Sequence, residues 1–340
     1  MFRIVRGNQK LHSAFTERLS REQGLVVDQF DRHGSAEHAW SLLSKAHAYQ
    51  ISAARDEVPK PYHASADLLA RCPQLLCVSS GGAGYDTVDV EACTRAGVLV
   101  LNQAGANAQS VAEATLGLII DITHRLSLSD RRLRRERGFS REDLMGEEIA
   151  GKTLGLIGIG HVGRTVARLA AAFGMKVVAC DPLISPEGVR QLGAEPLDLD
   201  ALLRCSDIVS VHCPRDASTL GLMNEAAFSR MKRGVYFVNT ARGGIHDQRA
   251  LLAALQSGQV RAAGLDVWEQ EPPAIDDPLL HHESVVATYH TAGVTTEARA
   301  RIALWAADQL AQAFAGVTPP RMVNPEVWPQ FQARLARAGG

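Results

Sequence analysis

Three glycines open the chemical reading of this chain. In the stretch GLIGIGHVGR, Gly158, Gly160 and Gly163 keep a G-x-G-x-x-G spacing. An apolar run, KTLGLI, precedes them, and a helical pattern, VGRTVARLAAAFG, follows. In that setting each glycine has a job. Gly158 permits a tight turn, Gly160 lets the backbone approach a pyrophosphate, and Gly163 lets helix and strand pack closely. The helix start offers free N–H groups and a positive dipole end to phosphates. A second apolar run, KVVACD, ends in Asp181, 18 residues after Gly163. A carboxylate there can accept hydrogen bonds from ribose hydroxyls. It would also repel a 2′-phosphate, and no basic residue follows until Arg190, so NAD rather than NADP is expected. The competing reading is a glycine-rich turn that binds nothing. Strand, helix and acid together weigh against it.

Three polar groups fall at or just past the ends of apolar runs further on. VNTARGG carries Arg242, GLDVWEQEPP carries Asp266, Glu269 and Glu271, and SVVATYHTAG carries His290. In an open α/β sheet, ligands bind beyond the carboxyl ends of the strands, so these groups could converge there. An arginine can hold a carboxylate bidentately and polarise a neighbouring carbonyl. A histidine can give a proton to a carbonyl oxygen as hydride reaches the carbon. An ordinary imidazole is mostly neutral at pH 7, so a nearby carboxylate such as Glu271 is expected to raise its pKa and orient the ring. Taken singly, each residue has a bland alternative: a surface ion pair, a turn residue before proline, a structural histidine.

The elements that must position these groups are legible as alternating short β-rich runs and longer helical patterns. Strands are expected at LLCVSS (75–80), GVLVLN (97–102), KTLGLIGIG, KVVACD, DIVSVHC, GVYFVNT, RAAGLDV and SVVATYH. Helices are expected near 86–96, over 110–137 as one long pattern, and over 161–174. Strands alternating with helices imply parallel sheets with right-handed crossovers. Continuous apolar runs agree, because parallel strands are buried on both faces.

At 340 residues the chain suits two domains. A formal net charge of −1 gives no global field toward nucleic acid or an anionic membrane. The basic cluster RRLRRERG (131–138) lacks interleaved aromatics and reads as a solvated helix end. No run is long enough to span a bilayer, and MFRIVRGNQK has no apolar stretch behind its arginines, so neither membrane nor signal peptide is expected. The six cysteines form no CxxC pair, so reduced core thiols in a cytoplasmic protein are expected, with no metal site.

From about residue 75 to 327 the sequence strongly resembles the D-isomer-specific 2-hydroxyacid dehydrogenases. The segments that carry the likeness are GGAGYDTVDV, SVAEATLGLI, GKTLGLIGIGHVGR, HCPRDASTLGLMNEAAFSRMKRGVYFVNTARGG, AAGLDVWEQEPP, HTAG and VNPEVW, in the family's order and spacing. The resemblance implies an α/β protein of two Rossmann-like or flavodoxin-like domains. Residues 1–103 and 293–340 would form the substrate domain, and the inserted residues 104–292 the NAD-binding domain. It implies a catalytic set of Arg242, Glu271 and His290. It implies cofactor contacts at His161, Val162, Asp181, His212, Cys213, Pro214, Thr240, Ala241, Asp266 and Gly293, beside the three glycines. It also implies that Gly82, Ala83 and Gly84 hold the substrate carboxylate through backbone N–H groups, which suits a glycine-rich anion nest. Members are typically homodimers joined through the nucleotide domain, with a cleft that closes on ligand.

Two positions depart from the family pattern: Tyr289 replaces the usual proline before the histidine, and His246 stands where an aliphatic residue is common. The chain ends without the regulatory extension of longer phosphoglycerate dehydrogenases, so serine feedback is not expected. Glu271 rather than glutamine argues against the formate dehydrogenase branch. Arg55 sits about where phosphoglycerate-type members face a phosphate, so glyoxylate/hydroxypyruvate-type and 3-phosphoglycerate-type substrates both stay open. A second class of function also stays open, an NAD(H)-sensing interaction protein akin to the corepressors on this fold.

Overall fold

The computed structural model describes residues 1–339, and their contacts divide the chain into two units. The first comprises Met1–Asn107 and Thr295–Gly340, the second Ala108–Val294. The first unit opens with β1 (Phe2–Gly7), α1 (Ala14–Leu19), β2 (Leu25–Phe30), α2 (Ala36–Leu43), β3 (Ala48–Ile51), α3 (Ala66–Arg71), β4 (Cys77–Ser80), α4 (Val90–Arg95) and β5 (Leu99–Leu101). Its five strands pair in parallel in the order β2-β1-β3-β4-β5. Alternate side chains serve opposite faces, as the strand period requires. On β1, Ile4 joins a core with Phe15 and Leu19, whereas Val5 joins a separate core with Phe30 and Tyr49.

The second unit contains α5 (Ala108–His124), α6 (Leu126–Arg135), β6 (Thr153–Ile157), α7 (His161–Ala172), β7 (Lys176–Cys180), α8 (Pro186–Gln191), β8 (Glu195–Pro196) and α9 (Leu199–Cys205). It continues with β9 (Ile208–Val211), α10 (Glu225–Arg230), β10 (Val235–Asn239), α11 (Gln248–Gln256), β11 (Val260–Leu265), α12 (Pro278–His281) and β12 (Val285–Ala287). The chain then returns to the first unit as α13 (Thr296–Phe314) and α14 (Trp328–Gly339). Seven parallel strands run in the order β12-β11-β10-β9-β6-β7-β8. On β10, Val235 and Phe237 enter one core while Tyr236 and Val238 enter the other. Every residue of that strand is buried, which explains why the apolar runs did not alternate. The strand order reverses between β6 and β9, the place where such sheets leave a crevice for a ligand.

Two expectations change. The helical pattern over 110–137 is two helices, because Arg125 takes a left-handed conformation (φ 57°) between α5 and α6. The last strand stops at Ala287, so His290 lies in the turn beyond it. Two arginines of the basic cluster pair with carboxylates one turn away on or beside α6. Arg132 bonds Glu136 at 2.9 Å, Arg134 bonds Asp130 at 2.8 Å, and Arg131 donates to the Glu283 carbonyl at 2.7 Å.

Candidate functional site

The glycine loop lies at the switch point. Gly158, at φ 93°, leaves β6 with its Cα against the chain after β9; a Cβ there would come within 2.7 Å of the Cys213 nitrogen. A Cβ on Gly163 would overlap the Gly158 carbonyl, so only glycine lets α7 approach the loop. Gly160 is different. Nothing lies within 4 Å of where its Cβ would be, and the first turn of α7, with His161 and Val162, starts there without a side-chain cap. Most other helices do have one; Asp198 caps α9 and Asn224 caps α10. The space over Gly160 is the cradle a pyrophosphate needs. Asp181 grips the loop itself: one carboxylate oxygen accepts from Ile159 N–H at 2.9 Å and the other from Leu183 N–H at 3.0 Å. A carboxylate has about four acceptor sites, so ribose hydroxyls still find room. The residues fit a dinucleotide. His212 turns its ring inward: Nε2 meets Ser210 Oγ at 2.9 Å, Nδ1 is buried without a partner, and burial pushes the imidazole down to about 3. Its ring is thus a neutral wall, followed by Cys213, whose thiol burial pushes up to about 11, and exposed Pro214.

At the end of β10, buried Asn239 shapes the turn that carries Arg242. Its side-chain oxygen accepts from Ala241 N–H at 2.9 Å, and its amide donates to the Arg242 carbonyl at 3.0 Å. The same amide meets His246 Nδ1 at 2.8 Å. His246 is fully buried against Phe237, and burial pushes it down to about 4. The aliphatic position of the family pattern is therefore filled here by a neutral imidazole that accepts a hydrogen bond. Thr240 is anchored to Thr115 on α5 through their hydroxyls at 2.9 Å, and Arg242 Nη1 donates to the Ala241 carbonyl at 2.7 Å.

Beyond β11 and β12 the structure brings Glu271 and His290 together. His290 Nδ1 lies 2.9 Å from Glu271 Oε2, with side chains 37% and 25% exposed. A carboxylate at Nδ1 makes that nitrogen the donor and leaves Nε2 to face a ligand. His290 has φ 46°, uncommon for a bulky side chain. Asp266, 1% exposed, holds this turn: its oxygens accept from Thr288 Oγ1 at 2.6 Å, Thr291 N–H at 2.8 Å and Ala292 N–H at 3.0 Å. Its carbonyl accepts from His290 N–H at 2.7 Å. Sequence reasoning placed Asp266 beside the cofactor and missed this second task. The adjacent Gly293 continues the turn, and Tyr289 is half exposed.

In the first unit, the loop after β4 has its carbonyls drawn into the fold. Gly82 O accepts from Gln103 N–H at 2.8 Å, Ala83 O from the Asn102 amide at 2.9 Å, and Gly84 O from Ser80 Oγ at 2.6 Å. Planar trans peptides then point the next N–H groups the opposite way, away from those partners. Arg55 donates to the Asp86 carbonyl at 3.0 Å and is exposed. Among the described residues no cluster of three or more His, Cys, Asp or Glu side chains could hold a metal ion.

Residues 116–292 match the sequence model of the D-isomer specific 2-hydroxyacid dehydrogenase family, NAD binding domain. The chain belongs to this family. Its second unit holds the family's NAD-binding domain. A D-3-phosphoglycerate dehydrogenase of Mycobacterium tuberculosis is 44% identical over 259 residues, which are 76% of this chain and 49% of that protein. The chain thus spans about half the length of the curated relatives it matches. Among solved structures, a glyoxylate reductase from Paecilomyes thermophila superposes with a TM-score of 0.83 at 27% identity, covering 96% of this chain and 99% of that one. A D-lactate dehydrogenase from Aquifex aeolicus, complexed with NAD and lactic acid, gives 0.77 at 29% identity, covering 92% and 96%.

Proposed function

We propose that this family member is an NAD-dependent oxidoreductase that interconverts a short 2-oxo acid and its D-2-hydroxy acid. The observation that carries the reading is the 2.9 Å pair of His290 Nδ1 and Glu271 Oε2 at the strand ends of an NAD-binding domain. NAD(H) bound over the glycine loop supplies or accepts the hydride. In the reducing direction, His290 donates a proton from Nε2 to the carbonyl oxygen. Glu271 keeps the ring oriented and balances the charge of the imidazolium. Arg242 holds the substrate carboxylate and polarises the carbonyl, a task that suits a planar fork of donors. The N–H groups of the Gly82–Gly84 loop, in the first unit, are also assigned to substrate binding. Arg55 is the group we assign to a distal phosphate, should the substrate carry one.

Several relatives named above act on different acids, so the acid is chosen by assay. Glyoxylate, hydroxypyruvate, 3-phosphohydroxypyruvate and pyruvate are each offered with NADH and with NADPH, following coenzyme absorbance. Reduction of at least one, faster with NADH and giving the D-product, is the expected result. Tight NADH binding with no acid reduced would overturn the enzyme reading in favour of an NAD(H)-sensing interaction protein.

We also propose a second copy of the chain as partner, joined through the NAD-binding unit. Helix α6 buries none of its residues, and Leu126 and Leu133 stand exposed on it. Light scattering should give twice the chain mass, and Leu133→Glu should halve it. No helix among the described residues is long and apolar enough to cross a membrane.

A further inference from the structure

Trp268 is buried to 2% exposure while its neighbours Glu269 and Gln270 are exposed. Its ring sits in the core with Ile245, Leu251 and Leu279. Its polar atoms, however, all turn toward the groups assigned to catalysis. The backbone N–H donates to Glu271 Oε1 at 3.2 Å, the carboxylate whose other oxygen meets His290. The indole N–H donates to the Thr288 carbonyl at 3.0 Å, two residues before His290. The carbonyl lies hard against Gly243, the residue after Arg242; a Cβ there would overlap it. The next residue is clamped as well: Glu269 N–H donates to Gln248 Oε1 at 2.7 Å, and Gln248 N–H donates to Glu269 Oε1 at 3.0 Å. One residue, through its side chain and the peptides on both sides of it, thus touches the local frame of all three groups.

We infer that Trp268 is a positioning residue that sets the mutual geometry of Arg242, Glu271 and His290. The inference rests on the roles given to those three above. The physical reason is that a buried indole N–H needs an acceptor, and here the acceptor is the backbone that presents His290. The core fixes the ring, the ring fixes Thr288, the backbone N–H holds Glu271, and the carbonyl packs against the Arg242 turn. A first set of ligating groups works only when such a supporting shell keeps it within about half an ångström of the productive geometry.

Trp268→Phe keeps an aromatic ring and removes the indole donor. Expected are a melting temperature near that of the parent, NADH affinity within about twofold, and kcat lowered about tenfold. With isotope-labelled histidine, the His290 ring resonances, assigned by their loss in His290→Asn, should move toward those of Glu271→Gln. Parental resonances together with parental kcat would overturn the inference. Parallel loss of NADH affinity, melting temperature and kcat would also overturn it, because that is the mark of general structural damage. If Trp268→Phe does not fold, Gln248→Ala frees the neighbouring Glu269 N–H that clamps the same segment and should lower kcat while sparing NADH affinity; parental kcat and resonances there overturn the inference equally. If the parent reduces no 2-oxo acid, the proposed function fails on its own, and the ring resonances still decide the role of Trp268.

Discussion

His290 combines an exposed ring edge with a left-handed backbone, and the second feature has a cost of about 1–3 kcal/mol unless the surroundings impose it. Asp266 imposes it, by accepting three hydrogen bonds from the same turn. Two predictions follow from this division of labour. His290→Asn should lower kcat by about 10²–10⁴, the range of a lost general acid, while NADH affinity measured by titration stays within about threefold. Equal loss of both would sink the acid–base role. Asp266→Asn should act differently, since the amide nitrogen cannot accept from the buried Ala292 N–H. A stranded donor costs about 1–3 kcal/mol, readable in urea unfolding, and kcat should fall with it as the turn loosens. Unchanged unfolding would show that the carboxylate does not hold the turn. Arg242, Glu271 and His290 could be singled out in the sequence as candidates because their types name a chemistry, and the structure pairs the last two. Trp268 and the anchoring task of Asp266 were not, because an aromatic in an apolar run reads as core, and a carboxylate's backbone partners depend on how two strand ends meet.

At the scale of elements, the glycine loop was the clearest feature of the sequence. Its three positions carry separate physical demands, and these can be separated experimentally. Gly163→Ala drives a Cβ into the Gly158 carbonyl, so the loop and α7 must part. Overpacking of this kind costs about 1–3 kcal/mol, and NADH affinity should fall with stability. Gly160→Ala meets only open space. Stability should change by no more than about 1 kcal/mol, yet NADH affinity should drop at least tenfold, because the methyl occupies the cradle. Thermal melting with and without NADH distinguishes the two, and an unimpaired NADH response in Gly160→Ala would remove the pyrophosphate from this loop. Periodicity found six of the seven strands of this unit and the helix after the glycine loop, but neither the two-residue β8 nor the break at Arg125. The residues on both sides are adequate helix formers, and no glycine or proline marks the stop. The break comes instead from Asp121, which accepts from Ser127 N–H at 2.7 Å and from its hydroxyl, folding the chain back at the start of α6.

Across the whole molecule, the parallel pairing of strands followed from alternating patterns, whereas the strand order of the two sheets and the buried histidines emerged only from packing. They make acid stability a test of the interior. His212 and His246 are held neutral, at about 3 and about 4, by burial against an ordinary value of 6.5. Above pH 6.5 folded and unfolded chains are both neutral at these sites, so the full stability is present. As pH falls below 6.5 the unfolded chain takes up protons that the folded one refuses, and stability drops by roughly 1 kcal/mol per pH unit for each histidine until the folded values are reached. Glu147 and Asp207 also weaken the fold in acid: the Lys152 hydrogen bond lowers Glu147, and the upward push of burial on Asp207 is outweighed by Lys232 and the Thr153 N–H together, which lower it. Carboxylates of this kind weigh mainly below their ordinary values of 4.5 and 3.8, so the interval from pH 6.5 to about 4.5 isolates the histidines. Urea unfolding of the NAD-binding unit across that interval should show a steeper loss in the parent than in His246→Leu. The variant gives up the acceptor for Asn239 and is expected to start lower at pH 7, but its line should be flatter by about one histidine's share. Parallel lines would mean that His246 is reached by protons in the folded state, and the Asn239 contact that shapes the Arg242 turn would then have to be drawn differently.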